Sequence, residues 1–242
     1  MSLAKEFAVR YAGLRQAYGT FTANNETRED GKASGKNITI SKELSDDDLL
    51  KLWEDHLSGQ QSVGIVAIDE DNKCVWGAID VDEYQLDLKD LAIKIAKQEL
   101  PLVLCRSKSG GAHIYMFLSE PVAASMVQRK LRQIAAAIGY GQVEIFPKQT
   151  KLLLDRGDRG STLNMPYFGG ENSTRYAYGK EGQALTPQEF LNYCSEIELK
   201  PSTLERLEAS PLNETMEWLD QAPPCIQHLV VQGFPKGSRN SG

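Results

Sequence analysis

Apolar side chains recur along the chain with two periods, one typical of helices and one typical of strands. A spacing of three or four residues, which places side chains on one face of a helix, occurs in four segments. Capping residues or glycines mark several of their ends, as Ser45 and Gly59 do for the second segment. The pattern predicts helices over residues 4–18, 45–59, 87–95 and 127–139, and a capping box with proline begins a fifth helix at Thr186.

Short apolar runs between these helices predict strands. Two runs, Val63–Asp69 and Cys74–Asp82, are joined by a polar turn, and a Ser/Gly-rich turn joins Leu102–Arg106 to His113–Leu118. Val143–Phe146 reads as a further short strand, whereas residues 22–40 are polar and read as a loop that could hold one short strand. Hairpins with helices between them predict an α+β fold, a sheet covered by helices, and not a doubly wound parallel sheet.

Length and composition limit the class of protein. The 242 residues suit one large domain, or one domain with an appendage, and can bury a substantial core. No apolar run approaches the ~20 residues of a membrane span, and the N-terminus lacks the features of a secretory signal. The four cysteines are isolated in sequence, which indicates buried thiols in a reducing compartment and predicts a cytoplasmic location.

The composition changes near residue 210. Residues 211–242 have the pattern of the start of a further helical region, and the chain ends without an obvious terminal element. We therefore expect residues 1–210 to form one domain, with an N-terminal module to about residue 60 and a sheet over about residues 61–180. We expect the whole chain to be the N-terminal part of a longer protein.

The net charge of −6 at pH 7 argues at first against a nucleic-acid partner. The distribution of charge weakens that argument, because residues 101–165 contain nine Lys or Arg and four Asp or Glu. A locally basic site on an acidic protein is compatible with phosphate binding. Charge alone therefore does not exclude a nucleotide or a nucleic acid as ligand.

Two aspartates end the second predicted strand. In a strand, residues two apart lie on the same face, so Asp80 and Asp82 are expected side by side. Two carboxylates at this separation repel each other unless a cation lies between them, and Mg²⁺ or Mn²⁺ prefers such oxygen ligands. The alternative is that both acids are solvated residues at the end of a strand, as the nearby Asp69-Glu-Asp71 turn illustrates.

The turn of the second hairpin carries a possible phosphate site. Its sequence, Arg106-Ser-Lys-Ser109-Gly-Gly-Ala-His113, contains two glycines that permit a tight turn or a close approach to a ligand. Consecutive backbone N–H groups in such a turn can bind an anion, and the cationic side chains would add to that binding. A flexible hairpin turn followed by a half-buried histidine would explain the same residues.

A third acid and a later turn complete the set of candidates. Glu144 lies on an apolar strand, where an unpaired carboxylate would be costly to bury, so it needs solvent, Lys148 or a metal ion as partner. A structural ion pair with Lys148 is the simpler explanation. Downstream, Asn164 and Tyr167 lie at a predicted turn, where they could contact sugar or base or could simply pack.

Together, the segments resemble the motifs of the archaeo-eukaryotic primase superfamily, in its branch from phages, plasmids and conflict systems. That pattern runs D-x-D, S-G-G-x-H, then E-I-F-P-K-Q and an N-x-P-Y-like turn, and this sequence shows all four over roughly residues 60–180. Bacterial ligase-associated polymerase domains share the glycine turn but usually carry a different third motif. Residues 223–240 are similar, more weakly, to the start of a primase C-terminal helical region.

The resemblance implies a role for each motif. It implies that Asp80, Asp82 and Glu144 form a two-metal site for Mg²⁺ or Mn²⁺. It implies that His113, with Ser109, contacts the phosphates of the incoming nucleotide. The other nucleotide-binding candidates in or near these motifs are Arg106, Lys108, Gly110, Gly111, Lys148, Asn164 and Tyr167.

The implied fold is an RRM-like catalytic sheet beside an N-terminal α/β module, with the active site in the cleft between them. The implied activity is template-dependent synthesis or extension of primers on single-stranded DNA, from NTPs or dNTPs. The expected context is replication of a phage, plasmid or similar element in the cytoplasm of a bacterial or phage-infected cell, without membrane attachment. A helicase, fused downstream or separate, is a further possible partner.

Two other functions are compatible with these residues. A primase-like fold that has lost catalysis could bind nucleic-acid ends, although the presence of all three acids argues against it. A gap-filling polymerase of end joining would use the same site to extend a supplied primer. A rolling-circle nuclease is set aside, because its metal site needs a close pair of histidines and His56, His113 and His228 are far apart in sequence.

Overall fold

The structure is a computed structural model, and it describes residues 1–27, 33–83 and 85–208. The helical region expected over residues 211–242 lies outside the described residues. The helices are α1 (Leu3–Arg10), α2 (Asp46–Leu57), α3 (Leu88–Lys97), α4 (Ala124–Ala137), α5 (Pro187–Glu196) and α6 (Pro201–Arg206). The strands are β1 (Ala17–Thr27), β2 (Ala33–Ser41), β3 (Val63–Val66), β4 (Lys73–Val81), β5 (Val103–Arg106), β6 (Ala112–Ala123), β7 (Glu144–Phe146), β8 (Thr162–Asn164), β9 (Ala177–Tyr178) and β10 (Ala184–Leu185).

The strands form two antiparallel sheets. One has four strands in the order β2-β1-β3-β8, and the other has six in the order β10-β9-β5-β6-β4-β7. β3 and β4 follow each other along the chain across a turn closed by the Asp69 N–H and the Lys73 carbonyl, yet they belong to different sheets. This arrangement of antiparallel sheets and helices confirms the predicted α+β class.

The six-stranded sheet is covered on both faces. Its strands alternate, so that Ile79 and Ile114 pack into an aliphatic cluster with α3, α4 and α6. Their neighbours Ala78 and Tyr115 pack on the opposite face, in a cluster rich in aromatic rings contributed by α1, α2 and α5. The fully buried rings of this second cluster include Phe7, Tyr11, Trp53, Trp76, Phe117 and Phe190. Because one face of the sheet is mainly aliphatic and the other aromatic, the two clusters identify which side each strand residue faces.

Most of the predicted elements are confirmed. Ser45 caps α2 in a capping box with Asp48, and Thr186 does the same for α5 with Glu189. Asp87 caps α3 through the backbone N–H of Asp90. Three cysteines within the described residues, Cys74, Cys105 and Cys194, are free and buried, as their isolated positions predicted.

Two predictions for the N-terminal region are wrong. The helix predicted over residues 4–18 ends at Arg10, and Ala17 already lies in β1. The chain leaves the helix because Leu14 donates a backbone hydrogen bond to the Val66 carbonyl at 3.0 Å, and Gly13 approaches that carbonyl so closely that a Cβ would collide with it. This close backbone approach to β3 is a tertiary contact that the helical spacing does not reveal.

Within the region predicted as a loop, residues 22–27 and 33–40 instead belong to the paired strands β1 and β2. The two strands pair from Ala17 opposite Ser41 to Thr27 opposite Ala33, with an irregularity between Ala23 and Thr27. Residues 36–39 of β2 are exposed, and the alternation Asn37-Ile-Thr-Ile40 is too short to distinguish a strand from a loop. Thr and Ile residues favour this strand, and pairing with β1 supplies the rest.

Candidate active site

Three of the candidate residues lie in one row across three neighbouring strands. In the antiparallel pairing of β4 with β6 and β7, Asp80 is opposite His113 on one side and Glu144 on the other. Directly opposite residues in such pairs project from the same face with Cβ atoms ~4.5–5.5 Å apart. The row therefore projects from the face that carries the aromatic cluster, and β5 and β9 continue it with Cys105 and Ala177.

Asp80 lies at the centre of this row with one carboxylate oxygen unsatisfied. Its side chain is 12% exposed, and its Oδ1 is 3.3 Å from Nε2 of His113. That contact has the distance of an ion pair but not the geometry of a hydrogen bond, so the buried Oδ1 has no donor among the described residues. The other ring nitrogen of His113 shares a hydrogen bond with the Tyr115 hydroxyl at 3.1 Å, which fixes the orientation of the ring. A buried carboxylate oxygen without a donor is costly, and a bound cation would remove that cost.

The glycine turn between β5 and β6 packs against the end of β4. A Cβ on Gly111 would collide with the Val81 carbonyl oxygen, and Gly110 has φ +101°, so both positions favour glycine. The backbone N–H of Ser107 closes the turn by donating to the Gly111 carbonyl at 2.8 Å. The close approach places Ser109 beside the second aspartate, and its hydroxyl donates to Oδ1 of Asp82 at 3.4 Å.

Glu144, at the other end of the row, forms the predicted ion pair with Lys148. The Glu144 side chain is 59% exposed, so this pair contributes little to stability. The segment after β7 is fixed to α4, because the Gln128 amide donates to the carbonyls of Pro147 and Lys148. The ion pair thus accounts for the Glu144 charge without a metal, and a role for Glu144 as ligand stays a prediction.

Two cationic side chains without a carboxylate partner among the described residues lie next to β5 and β9, at the end of the row away from Glu144. Nζ of Lys108 is 2.9 Å from the ring centroid of Phe21, a contact that joins the glycine turn to β1 of the other sheet. Burial, and repulsion from Arg175, lower the pKa of Lys108 to about 8. Arg175 lies two residues before Ala177, and its Nη1 is buried without a hydrogen-bond partner among the described residues. Burial also lowers the pKa of Arg175, whose guanidinium lies 5.0 Å from the ring centroid of Phe168.

The other candidates are not brought to the row. Arg106 is opposite Ala112, a residue of the aliphatic cluster, so it leaves β5 on the opposite face, and its guanidinium donates to the Thr174 carbonyl at 3.3 Å. Asn164 ends β8 in the four-stranded sheet, opposite Gly64. The Tyr167 ring is buried in the aromatic cluster, and its hydroxyl donates to the Leu185 carbonyl at 2.9 Å. Direct nucleotide contact by Tyr167 stays a prediction that its burial disfavours.

Residues 6–193 match the family described as the archaeo-eukaryotic primase domain of the TOTE conflict system. The chain belongs to this family.

The match covers every candidate residue of this primase domain and confirms the resemblance inferred from its motifs. No curated protein matches the sequence. Among solved structures, the chain is similar to the polymerase domain of ligase D from Mycobacterium tuberculosis, solved in complex with DNA. The two are 15% identical, the similarity covers 85% of this chain and 89% of that one, and the TM-score is 0.39. The family match supports a primase-polymerase nucleotidyltransferase as the class of the protein.

The acids of the primase domain have the carboxylate chemistry that a divalent metal needs, and strand pairing places Asp80 and Glu144 opposite each other. Their side chains, however, do not converge on one point. Among the described residues, no three His, Cys, Asp or Glu side chains are close enough together to hold a metal ion. Asp80 nevertheless has a buried oxygen without a donor, and Glu144 is opposite it. Hard oxygen donors of this kind suit Mg²⁺ or Mn²⁺. None of the helices in the described ranges has the length and apolar character needed to cross a bilayer.

Arg175 is the residue that sequence reasoning missed. It lies in the Gly-, Asn- and Ser-rich segment between Tyr167 and β9, where no periodic pattern singles it out. The only available signal was its place just before a short strand, and β9 itself, with two residues, was too short to predict.

Proposed function

We propose that this primase domain is a template-dependent nucleotidyltransferase that makes or extends primers on single-stranded DNA. The observation that carries the proposal is the division of one face of the sheet by charge. Asp80 and Glu144 lie on one side of His113, and the cationic Lys108 and Arg175 lie toward the other. A nucleoside triphosphate with its divalent cation has the complementary distribution of charge, with phosphates for the cationic side and a metal for the acidic side.

The residues of the chain would divide the work as follows. Asp80, Asp82 and Glu144 would hold the divalent ion, which when bound supplies Lewis-acid stabilisation of the phosphates and lowers the pKa of a bound hydroxyl. Lys108 and Arg175 would neutralise charge on the phosphate oxygens, because both are partly desolvated cations and lack a carboxylate partner among the described residues. Ser109, on a turn whose glycines permit close approach, would donate its hydroxyl to a phosphate oxygen.

His113 has a distinct place between the two groups of charges. Tyr115 holds Nδ1, and Nε2 is directed to Asp80 at 3.3 Å. The contact of Nε2 with Asp80 does not have the geometry of a hydrogen bond. The imidazole could therefore donate from Nε2 to a phosphate oxygen of the nucleotide, with its orientation still fixed by Tyr115.

The wider context follows from the resemblance and is proposed on that basis. We infer replication or copying of the DNA of a mobile element or conflict system, in the cytoplasm of a bacterial or infected cell. A helicase, on the same chain or separate, would supply the single-stranded template. The substrates to be tested are NTPs and dNTPs.

The test is template-dependent synthesis on single-stranded DNA, with NTPs and dNTPs supplied separately in Mg²⁺ or Mn²⁺. We expect incorporation by the wild type and a loss of at least about a hundredfold in Asp80→Asn, since metal-assisted charge stabilisation supplies several kcal/mol. The matched control is Asp71→Asn, which makes the same chemical change in the turn at the far end of β4.

Comparing synthesis from free nucleotides with extension of a supplied primer separates a primase from a gap-filling polymerase. Binding of DNA ends without any incorporation would favour the inactive binding module. Equal activity in Asp80→Asn and Asp71→Asn would contradict the proposal.

A further inference from the structure

His56 is a fully buried histidine that lies outside the row of candidate residues. It is in the last turn of α2, where its Nδ1 accepts a hydrogen bond from the backbone N–H of Val63 at 2.9 Å. Its Nε2 is 2.8 Å from the carbonyl oxygen of Pro166. Because a backbone N–H can only donate and a carbonyl can only accept, both partners together fix a neutral ring with its proton on Nε2.

The Nε2 hydrogen bond supports a turn that is connected to Arg175. Directly after Pro166, the N–H of Tyr167 donates to the Arg175 carbonyl at 3.0 Å. Tyr167 has φ +62°, a left-handed conformation that is unusual for an aromatic residue and persists only where surrounding contacts hold it. The Gly169 N–H adds a second tie, donating to the carbonyl of His56 at 3.0 Å. The backbone that carries Arg175 is thus held through His56.

A second route runs through side chains. The His56 ring meets the Phe168 ring edge-on, with the ring centroids 5.5 Å apart. The Arg175 guanidinium in turn lies 5.0 Å from the centroid of the Phe168 ring. His56 therefore supports both the backbone and the aromatic surface on which Arg175 rests. Arg175 needs such support, because no carboxylate among the described residues pairs with it and fixes its position.

We propose that His56 is a positioning residue for nucleotide binding, acting through the Pro166–Phe168 turn to hold the Arg175 guanidinium at the phosphate side of the cleft. This inference rests on the proposed function, because it assumes that Arg175 contacts the nucleotide. It gives a specific role to a histidine that would otherwise be only a buried core residue.

The chemistry of the position favours histidine. The ring presents a donor and an acceptor in opposite directions, so it can join two backbone segments that face each other across it. It must also stay neutral, because a protonated ring would direct a second N–H at the Val63 N–H and place a positive charge near Arg175. Burial, followed by that neighbouring charge, lowers the pKa of His56 to about 4, and the Pro166 hydrogen bond opposes the shift only in part.

Two substitutions distinguish the two hydrogen bonds of the His56 ring, one to Val63 and one to Pro166. In His56→Asn the amide oxygen can take the place of Nδ1, so the Val63 bond is kept and the Pro166 bond is lost. In His56→Gln the amide nitrogen can take the place of Nε2, so the Pro166 bond is kept and the Val63 bond is lost. A purely structural role predicts similar effects for both, whereas the positioning role predicts that His56→Asn is the worse for nucleotide binding.

The readouts are the KM for nucleotide, kcat at saturating nucleotide, and direct nucleotide titration with Mn-ATP. We expect His56→Asn to raise KM and the dissociation constant about tenfold, with kcat and single-stranded DNA affinity nearly unchanged, because misplacement of a binding group by ~1 Å has effects of this size or larger. We expect His56→Gln to change them about threefold or less. In an Arg175→Gln background, His56→Asn should add almost nothing, because both changes remove the same contact.

Additive effects of His56→Asn and Arg175→Gln, or equal effects of Asn and Gln at position 56, would overturn the inference. If His56→Asn does not fold, Phe168→Leu decides, because it keeps both hydrogen bonds and removes only the ring beside Arg175; an unchanged KM in Phe168→Leu would then count against it. The titration separates this inference from the proposed function, since a wild type that binds Mn-ATP but incorporates no nucleotide contradicts only the latter. A wild type that does not bind Mn-ATP contradicts both.

Discussion

The acidic and cationic sides of the row are built in different ways. Asp80 and Glu144 lie on regular, paired strands, so the register of the sheet fixes the positions of their backbones. Lys108 lies in a turn and Arg175 in the segment before β9, and each is positioned by an aromatic ring. Strand pairing can therefore keep two acids that repel each other close together, whereas the positions of the cations depend on neighbouring side chains. A substitution near the site should displace the cationic side chains more easily than the acidic ones.

The substitution on the acidic side with the largest expected effect is Asp82→Ala. We expect it to abolish synthesis while leaving the apo protein as stable as the wild type or more so, because it removes a like charge next to Asp80. Synthesis and thermal unfolding without metal should be measured together, with Asp71→Ala as the control. A large drop in melting temperature without metal would mean that Asp82 is structural and that the pair has been misread.

Glu144→Gln tests whether the acidic side has three members or two. If Glu144 is a metal ligand, Glu144→Gln should reduce activity by orders of magnitude, with partial recovery in Mn²⁺. If Glu144 only pairs with Lys148, the substitution should cost about 1 kcal/mol or less of stability and leave synthesis unchanged. Glu120→Gln, at an exposed position near the far end of β6, is the matched control. Near wild-type synthesis in Glu144→Gln would remove it from the site.

On the cationic side, Arg175→Gln can be compared with Arg106→Gln, which makes the same change on the opposite face of the sheet. We expect Arg175→Gln to raise the KM for nucleotide about tenfold to a hundredfold, as loss of a hydrogen bond to a charged group does, and we expect little change in Arg106→Gln. Removing a partly buried cation that has no carboxylate partner among the described residues should also raise the melting temperature of the apo protein. Equal KM values for the two variants would refute the assignment of faces.

The smallest expected effect is a pH dependence from Lys108. Since burial and the charge of Arg175 lower the pKa of Lys108 to about 8, its charge is present below that pH and is lost as the pH rises through it. Nucleotide affinity should therefore fall about severalfold between pH 7 and pH 9. Lys108→Arg keeps the charge and should flatten the profile. The same decline in Lys108→Arg would mean that another group titrates.

Much of the six-stranded sheet could be predicted, because its longer strands are buried and carry apolar runs bounded by turns. The order D-x-D, glycine turn, strand acid was also sufficient for the family. The register was not predictable: that Asp80 faces both His113 and Glu144 depends on pairing between strands far apart in sequence. The β1–β2 hairpin was missed because its strands are joined by backbone pairing, which the apolar pattern shows over only a few residues.

The face on which a side chain lies separates candidates that the sequence had grouped together. Arg106 and Lys108 are two residues apart in the same turn sequence, and both were expected to contact a nucleotide, yet Arg106 is the last residue of β5 and follows its alternation. Arg175, which we propose for the same site, lies in a segment with no periodic pattern. A charged residue in a loop can be assigned to a site only when the contacts of the loop are known, and those come from the tertiary fold.

Cys105 stands in the same row, one strand beyond His113, and it is fully buried. Burial raises the pKa of its thiol well above the usual range, so the sulfur stays protonated and unreactive in the folded protein. An alkylating reagent can reach it only when β5 separates from its neighbours or the aromatic cluster opens. The rate of alkylation at Cys105 therefore measures local opening at the centre of the site, and it offers a way to show that a variant which has lost activity has kept its sheet intact.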